Sequence, residues 1–144
     1  MATVVAVGTL DTEGPEDELL RARLLEPYVF SPADARAMTG AGADVLVAHM
    51  GLTTGGTIGA ETGKTLDESV ELVQAIRDAA VDVDPDVIVL CHGGPIAEPE
   101  DAAYVLERTS GVAGFFGASS MERLPTEIAT TEKVRRFKTL QPSP

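Results

Sequence analysis

The chain has 144 residues, a net charge of −12 and 44% hydrophobic residues. Such a composition folds rather than staying disordered, and a single domain of this size has room for one core. The acidic surface repels phosphate backbones and anionic lipid, which argues against nucleic acid and membrane as partners. The lone Cys91 rules out an internal disulfide and fits a reducing, cytoplasmic setting. It closes an apolar run, where a buried inert thiol is expected.

The N-terminal run Val4–Val7, closed by Gly8, reads as a strand. It lacks the basic leader of a signal peptide, and no stretch approaches the ~20 apolar residues of a membrane helix. A helix is expected over 16–25, then a strand at Tyr28-Val29-Phe30. Ser31 can cap the next helix, with Pro32 in its first turn, and Gly40 and Gly42 end it. Val45–Ala48 is the third strand, followed by a Gly/Thr-rich loop over 51–63. The spacing of Leu66, Val70, Val73, Ile76 and Ala80 predicts a helix over 66–81 with one apolar face. Val87–Leu90 is the fourth strand, a continuous apolar run suited to a parallel sheet. Helix follows over 99–108, then strand over 112–116. A final helix over 120–137 is broken near Pro125, and the tail 141–144 is expected to fray.

Alternating βα units imply parallel strands with right-handed crossovers. The expected fold class is therefore α/β, within one compact unit over 1–144. It comprises an N-terminal βα unit (1–26) and four further βα units (27–140). Ligands in such folds meet the C-terminal strand ends, and these ends are unusual in composition. Gly8–Gly14 follows the first strand. His49-Met50-Gly51-Leu52-Thr53-Thr54-Gly55-Gly56 follows the third, His92-Gly93-Gly94-Pro95 the fourth, and Gly117-Ala118-Ser119-Ser120 the fifth. Both histidines of the chain stand at strand ends.

Glycine lets a backbone approach an anion and aim N–H groups at it. Gly93, Gly94, Gly117, Ser119 and Ser120 are accordingly candidates to hold a phosphate. Thr53, Thr54, Gly55 and Gly56 form a candidate substrate loop. His49 and His92 are candidate acid–base groups, because imidazole titrates near neutral pH. Glu122 is a further candidate. Each has a plainer alternative: a Gly-Gly turn, serines that cap the last helix, structural histidines, a carboxylate decorating a first helical turn. No metal-ligand spacing, nucleophile elbow or Walker loop is present in the sequence.

The stretches Pro27–Phe30, Ala41–Asp44, Val47–Gly56, Cys91–Ile96 and Gly114–Pro125 resemble the C-terminal half of the phosphoenolpyruvate hydrolase-like family, also labelled TIM-barrel signal-transduction proteins. The resemblance implies half of an eight-stranded (βα) barrel, a fold that typically needs about 250 residues. It also implies action on, or binding of, a small phosphorylated or 2-oxo acid. A divalent metal such as Mg would follow only by analogy with the family. A non-catalytic, anion-binding regulatory or interaction module is the alternative. Val7–Gly14 resembles instead the start of the nucleotide-binding-like domain that precedes such barrels in some fused proteins, a plant antiviral-resistance protein among them. Glu13 stands where that family has Lys, so nucleotide binding does not follow. A half barrel leaves open edges, and a homo-oligomer is expected.

Overall fold

The computed structural model describes residues 27–54 and 63–140. The expected N-terminal unit, Gly55, Gly56 and the C-terminal tail lie outside them. The described chain alternates strand and helix. In order these are β1 (Tyr28–Val29), α1 (Pro32–Gly40), β2 (Val45–His49), α2 (Leu66–Val81), β3 (Ile88–His92), α3 (Pro99–Arg108), β4 (Gly114–Phe115), α4 (Ser119–Glu122) and α5 (Leu124–Lys138). The strands form one sheet in the order β1-β2-β3-β4, and every pairing is parallel. This is the mixed α/β architecture expected of part of a TIM-type barrel.

Local sequence accounts for the helix limits. The Ser31 hydroxyl accepts from the Asp34 N–H (3.2 Å), and Pro32 opens α1, where its missing N–H costs nothing. Gly42, at φ +96°, takes the chain out of the helix. Helix α2 begins with a reciprocal capping box. Thr65 Oγ1 accepts from the Glu68 N–H (3.2 Å), and the Glu68 carboxylate accepts from the Thr65 N–H (2.7 Å), so two of the orphan donors of the first turn are satisfied. In α3 the Asp101 carboxylate accepts from the N–H groups of Ala97 and Glu98. The final helical region breaks at Arg123, between α4 and the Pro-led α5.

The strand limits differ from the expectation in a consistent way. The central strands extend one or two residues further at their C-terminal ends than the apolar runs, to include His49 and His92. The outer strands are shorter, two residues each. Polarity marks the end of an apolar run, whereas ladder hydrogen bonds mark the end of a strand. The two do not coincide where a polar side chain stands at the rim.

The core lies between one face of the sheet and helices α1–α3. Val29, Leu46, Ala48, Val89 and Cys91 meet Ala35, Val73, Ile76, Ala79, Ala80, Ala102 and Val105 there. Leu66 and Val70 pack at its margin, and Ser69 is buried with its hydroxyl donated to the Thr65 carbonyl (2.9 Å). Because side chains alternate along a strand, Tyr28, Val45, Val47, His49, Ile88, Leu90 and His92 belong to the opposite face, the inner face of a barrel. Among the described residues, no helix is long and apolar enough to cross a membrane.

Candidate functional site

The strand register brings the two histidines together. His49 and His92 are aligned partners in the β2–β3 ladder, so they project from the inner face at the same level. Their ring centroids are 4.9 Å apart, with the planes at 79°. Tyr28, from the adjacent strand β1, stacks on His92 at 5.3 Å with planes inclined by only 16°, and meets His49 edge-on at 4.9 Å. Phe30 lies 5.1 Å from His49, and Phe116 lies 5.4 Å from His92. Five of the eight Tyr, Phe and His residues of the chain thus converge at one end of the sheet.

Each imidazole is oriented by the backbone through Nδ1. His49 Nδ1 accepts from the Gly51 N–H (3.0 Å). His92 Nδ1 lies 2.8 Å from the Phe116 carbonyl; that oxygen can only accept, so Nδ1 carries the hydrogen. His92 is buried and His49 half-buried. Burial lowers both pKa values from the ordinary 6.5, and the positive forms of His92 and Lys64 lower His49 further, against a raising contribution from its own backbone. Desolvation disfavours the charged ring and so favours the neutral form of both.

The loops after β2 and β3 are tied together beside this pair. The Met50 N–H donates to the His92 carbonyl (2.8 Å), and the Gly94 N–H to the Gly51 carbonyl (2.8 Å). The Thr54 N–H donates to the Gly94 carbonyl (2.9 Å), and Thr54 Oγ1 reaches the same oxygen at 3.3 Å. Gly93 and Gly94 both have positive φ. A Cβ at Gly93 would lie 2.5 Å from the Gly51 oxygen, and one at Gly94 would lie 2.8 Å from the Met50 oxygen. The close approach of two loops by itself requires glycine at both positions.

Of the residues expected to hold phosphate, Gly93 and Gly94 are buried, and Gly94 commits its N–H to Gly51. Gly117, Ser119 and Ser120 follow the neighbouring strand β4. The serines are the first two residues of α4, and Ala118 holds its N-cap position, so neither serine caps the last helix. Glu122 is exposed at the end of α4, and its carbonyl accepts from Thr126 Oγ1 (2.7 Å). Thr53 is buried; Thr54 is the last residue of the candidate substrate loop before the undescribed stretch. Sequence reasoning missed Tyr28, Phe30 and Phe116. The alternation Tyr28-Val29-Phe30 was a signal for the first two, since it puts both rings on one face of a strand. Phe116 is recognisable only once β4 is in register with β3.

A family model described as phosphoenolpyruvate hydrolase-like matches residues 20–140. The chain belongs to the phosphoenolpyruvate hydrolase-like family. It is 62% identical over 117 residues to the ToMV susceptible protein tm-1(GCR26) and to the ToMV resistance protein Tm-1(GCR237), both of tomato, Solanum lycopersicum. The match covers 81% of this chain and 16% of each relative. A Sinorhizobium fredii protein, y4pA, named for a role in transcriptional regulation, is 29% identical over 113 residues, 78% of this chain and 18% of its own. The chain therefore spans under a fifth of the curated relatives it matches. The family stretch contains all of the rim described above, from Tyr28 to Ser120.

Proposed function

We propose that the rim formed by the ends of β2, β3 and β4 binds a small phosphorylated or 2-oxo acid, and that with a full set of barrel strands it acts on that acid. The observation that carries this reading is the pair of imidazoles aligned at the C-terminal strand ends, where parallel α/β folds meet their ligands. Each ring uses Nδ1 on the backbone and keeps Nε2 for other work. A neutral imidazole is both a base and a hydrogen-bond donor, which suits proton handling beside a carboxylate or phosphate. Lys64 is near enough to His49 to influence its titration and adds positive charge. Gly117, Ser119 and Ser120 offer N–H and hydroxyl donors from the adjoining loop.

A magnesium site does not fit the described residues of the rim. Magnesium prefers carboxylate and water oxygens in near-octahedral array, and the rim offers imidazoles, hydroxyls and glycines. Among the described residues, no group of three or more His, Cys, Asp or Glu could hold a metal.

The test is an NMR titration of the chain with inorganic phosphate and with phosphoenolpyruvate. Selective shifts at His49, His92 and the amides of residues 117–120 support the reading. Shifts confined to other regions, with these signals unmoved at millimolar ligand, overturn it. A second reading, a regulatory or interaction module without turnover, is favoured by the names of the tomato relatives, which concern susceptibility and resistance to ToMV. Binding without any turnover, even when the remaining strands are supplied, would select it.

A further inference from the structure

We infer that His49 and His92 form an unlike pair, in which His49 presents an N–H donor and His92 a bare nitrogen acceptor to the same ligand. The ligand this pair fits is a small acid bearing a hydroxyl, or an enol, on the carbon beside its carboxylate. The ligand part of this inference rests on the rim being an acid-binding site; the pairing of the imidazoles does not.

The assignment comes from the two backbone contacts. An amide N–H can only donate, so the 3.0 Å contact from Gly51 requires a lone pair on His49 Nδ1. In a neutral ring the hydrogen then sits on Nε2. A carbonyl can only accept, so the 2.8 Å contact to Phe116 requires a hydrogen on His92 Nδ1. In a neutral ring the lone pair then sits on Nε2. The ladder aligns the two residues and holds the rings 4.9 Å apart. The backbone partners belong to different loops, Gly51 after β2 and Phe116 after β4, so each tautomer is fixed independently of the other. Tyr28, stacked on His92 and edge-on to His49, restrains both rings against flipping.

A simple carboxylate presents acceptors alone and satisfies only His49 Nε2–H. A 2-hydroxy acid or an enol presents an acceptor and a donor on neighbouring carbons, so it satisfies both nitrogens. Once a ligand covers His92 Nε2, an acceptor left without a donor is costly, and this penalty discriminates between the two ligands.

Two measurements test this on the full chain. The first uses no ligand: long-range ¹H–¹⁵N correlation of the imidazoles at neutral pH. The expected result is an Nε2–H pattern for His49 and an Nδ1–H pattern for His92; the same tautomer on both rings overturns the pairing. The second compares lactate with propionate, which lacks the hydroxyl. Lactate is expected to bind about tenfold tighter, the effect of one net hydrogen bond. The preference should vanish in His92→Asn, whose amide can still donate to Phe116 but has no Nε2. Equal affinities in the unsubstituted chain overturn the ligand class while leaving the tautomers standing. No binding of either acid, together with silent phosphate and phosphoenolpyruvate titrations, overturns the acid site itself.

Discussion

His49 and His92 answer opposite demands of the backbone although they are aligned partners on adjacent strands: one imidazole accepts from an amide and the other donates to a carbonyl. Both contacts are compatible with neutral rings, and protonating His49 breaks its bond from Gly51. This has a consequence for stability. The native pKa values of both histidines lie below 6.5, chiefly through burial. As pH falls through 6.5 the unfolded chain takes up protons before the native one, so stability falls with pH. The loss begins near 6.5 and stops growing once the lowered native values are passed. The groups acting on His49 in this range are His92 and Lys64. The urea midpoint should be lower at pH 5.5 than at pH 7.5, and the difference should shrink in His92→Asn. A midpoint that does not change between these pH values would count against the neutral pair.

Gly93 and Gly94 are expected to be intolerant of any side chain. Both carry positive φ, and a Cβ would press on the Gly51 or Met50 carbonyl oxygen at 2.5 and 2.8 Å. Backbone strain and overpacking each cost about 1–3 kcal/mol, so Gly94→Ala should destabilise by about 2–4 kcal/mol. A Cβ at Gly40 would meet nothing within 4 Å, and the φ there is not positive; Gly40→Ala should be neutral or stabilising by up to about 1 kcal/mol. Chemical denaturation of the three proteins settles the contrast. Equal stability of Gly94→Ala and the parent would mean that the loops after β2 and β3 are not held together as described.

The sequence made the element order, the parallel sheet and the strand-end position of both histidines legible, because apolar runs, caps and glycines are local signals. The capping role of Ser31 was legible, and so were Val73, Ile76 and Ala80 in the buried stripe of α2; Leu66 and Val70 stand at its margin, and the buried Ser69 and Ala79 fell outside the apolar spacing. What sequence could not supply was register. Nothing local says that His49 aligns with His92, or that Phe116 offers its carbonyl to an imidazole 24 residues away. Gly93 and Gly94 show the converse limit. A turn there was legible, but the positive φ and the need for glycine follow from the Gly51 and Met50 carbonyls on a neighbouring loop, in addition to any anion they serve.

Cys91 should be chemically silent in the folded chain. It is fully buried in the sheet core, and burial pushes its thiol up to about 12. The thiolate is the reactive species, so both protonation and access protect it. A thiol reagent at pH 7.5 should leave Cys91 unmodified in buffer and modify it fully in denaturant. Rapid modification under native conditions would show that the sheet opens readily between β3 and its neighbours.

Hydrolysis of phosphoenolpyruvate by this chain alone should be weak or absent. Catalytic groups in a (βα) barrel come from several strands, and the described residues supply four. Release of phosphate, followed with the unsubstituted chain and with His49→Ala and His92→Ala, tests this. Robust turnover that disappears in either variant would show that four strands suffice, and would also place the reaction at the histidine pair.

Self-association is expected for a reason separate from the chemistry. In the described sheet the outer strands β1 and β4 each have one paired side, and edge strands leave N–H and C=O groups ready for another chain. The inner face bears exposed aromatic surface beside β1, with Tyr28 43% and Phe30 57% exposed. Further along the same face Val45, Val47 and Leu90 are already buried, so the surface left for a partner is the aromatic margin beside β1. A second copy related by a two-fold axis would bring its own four strands, β4 of one copy beside β1 of the other, and close eight parallel strands into a barrel with a self-complementary interface. Closure would bury Tyr28 and Phe30 and would enclose the two histidine pairs. Sedimentation equilibrium at micromolar concentration distinguishes the states, and Phe30→Asp should shift the equilibrium toward the monomer by placing a charge in the closing face. A mass of 15.0 kDa that stays constant on concentrating would eliminate the two-copy barrel.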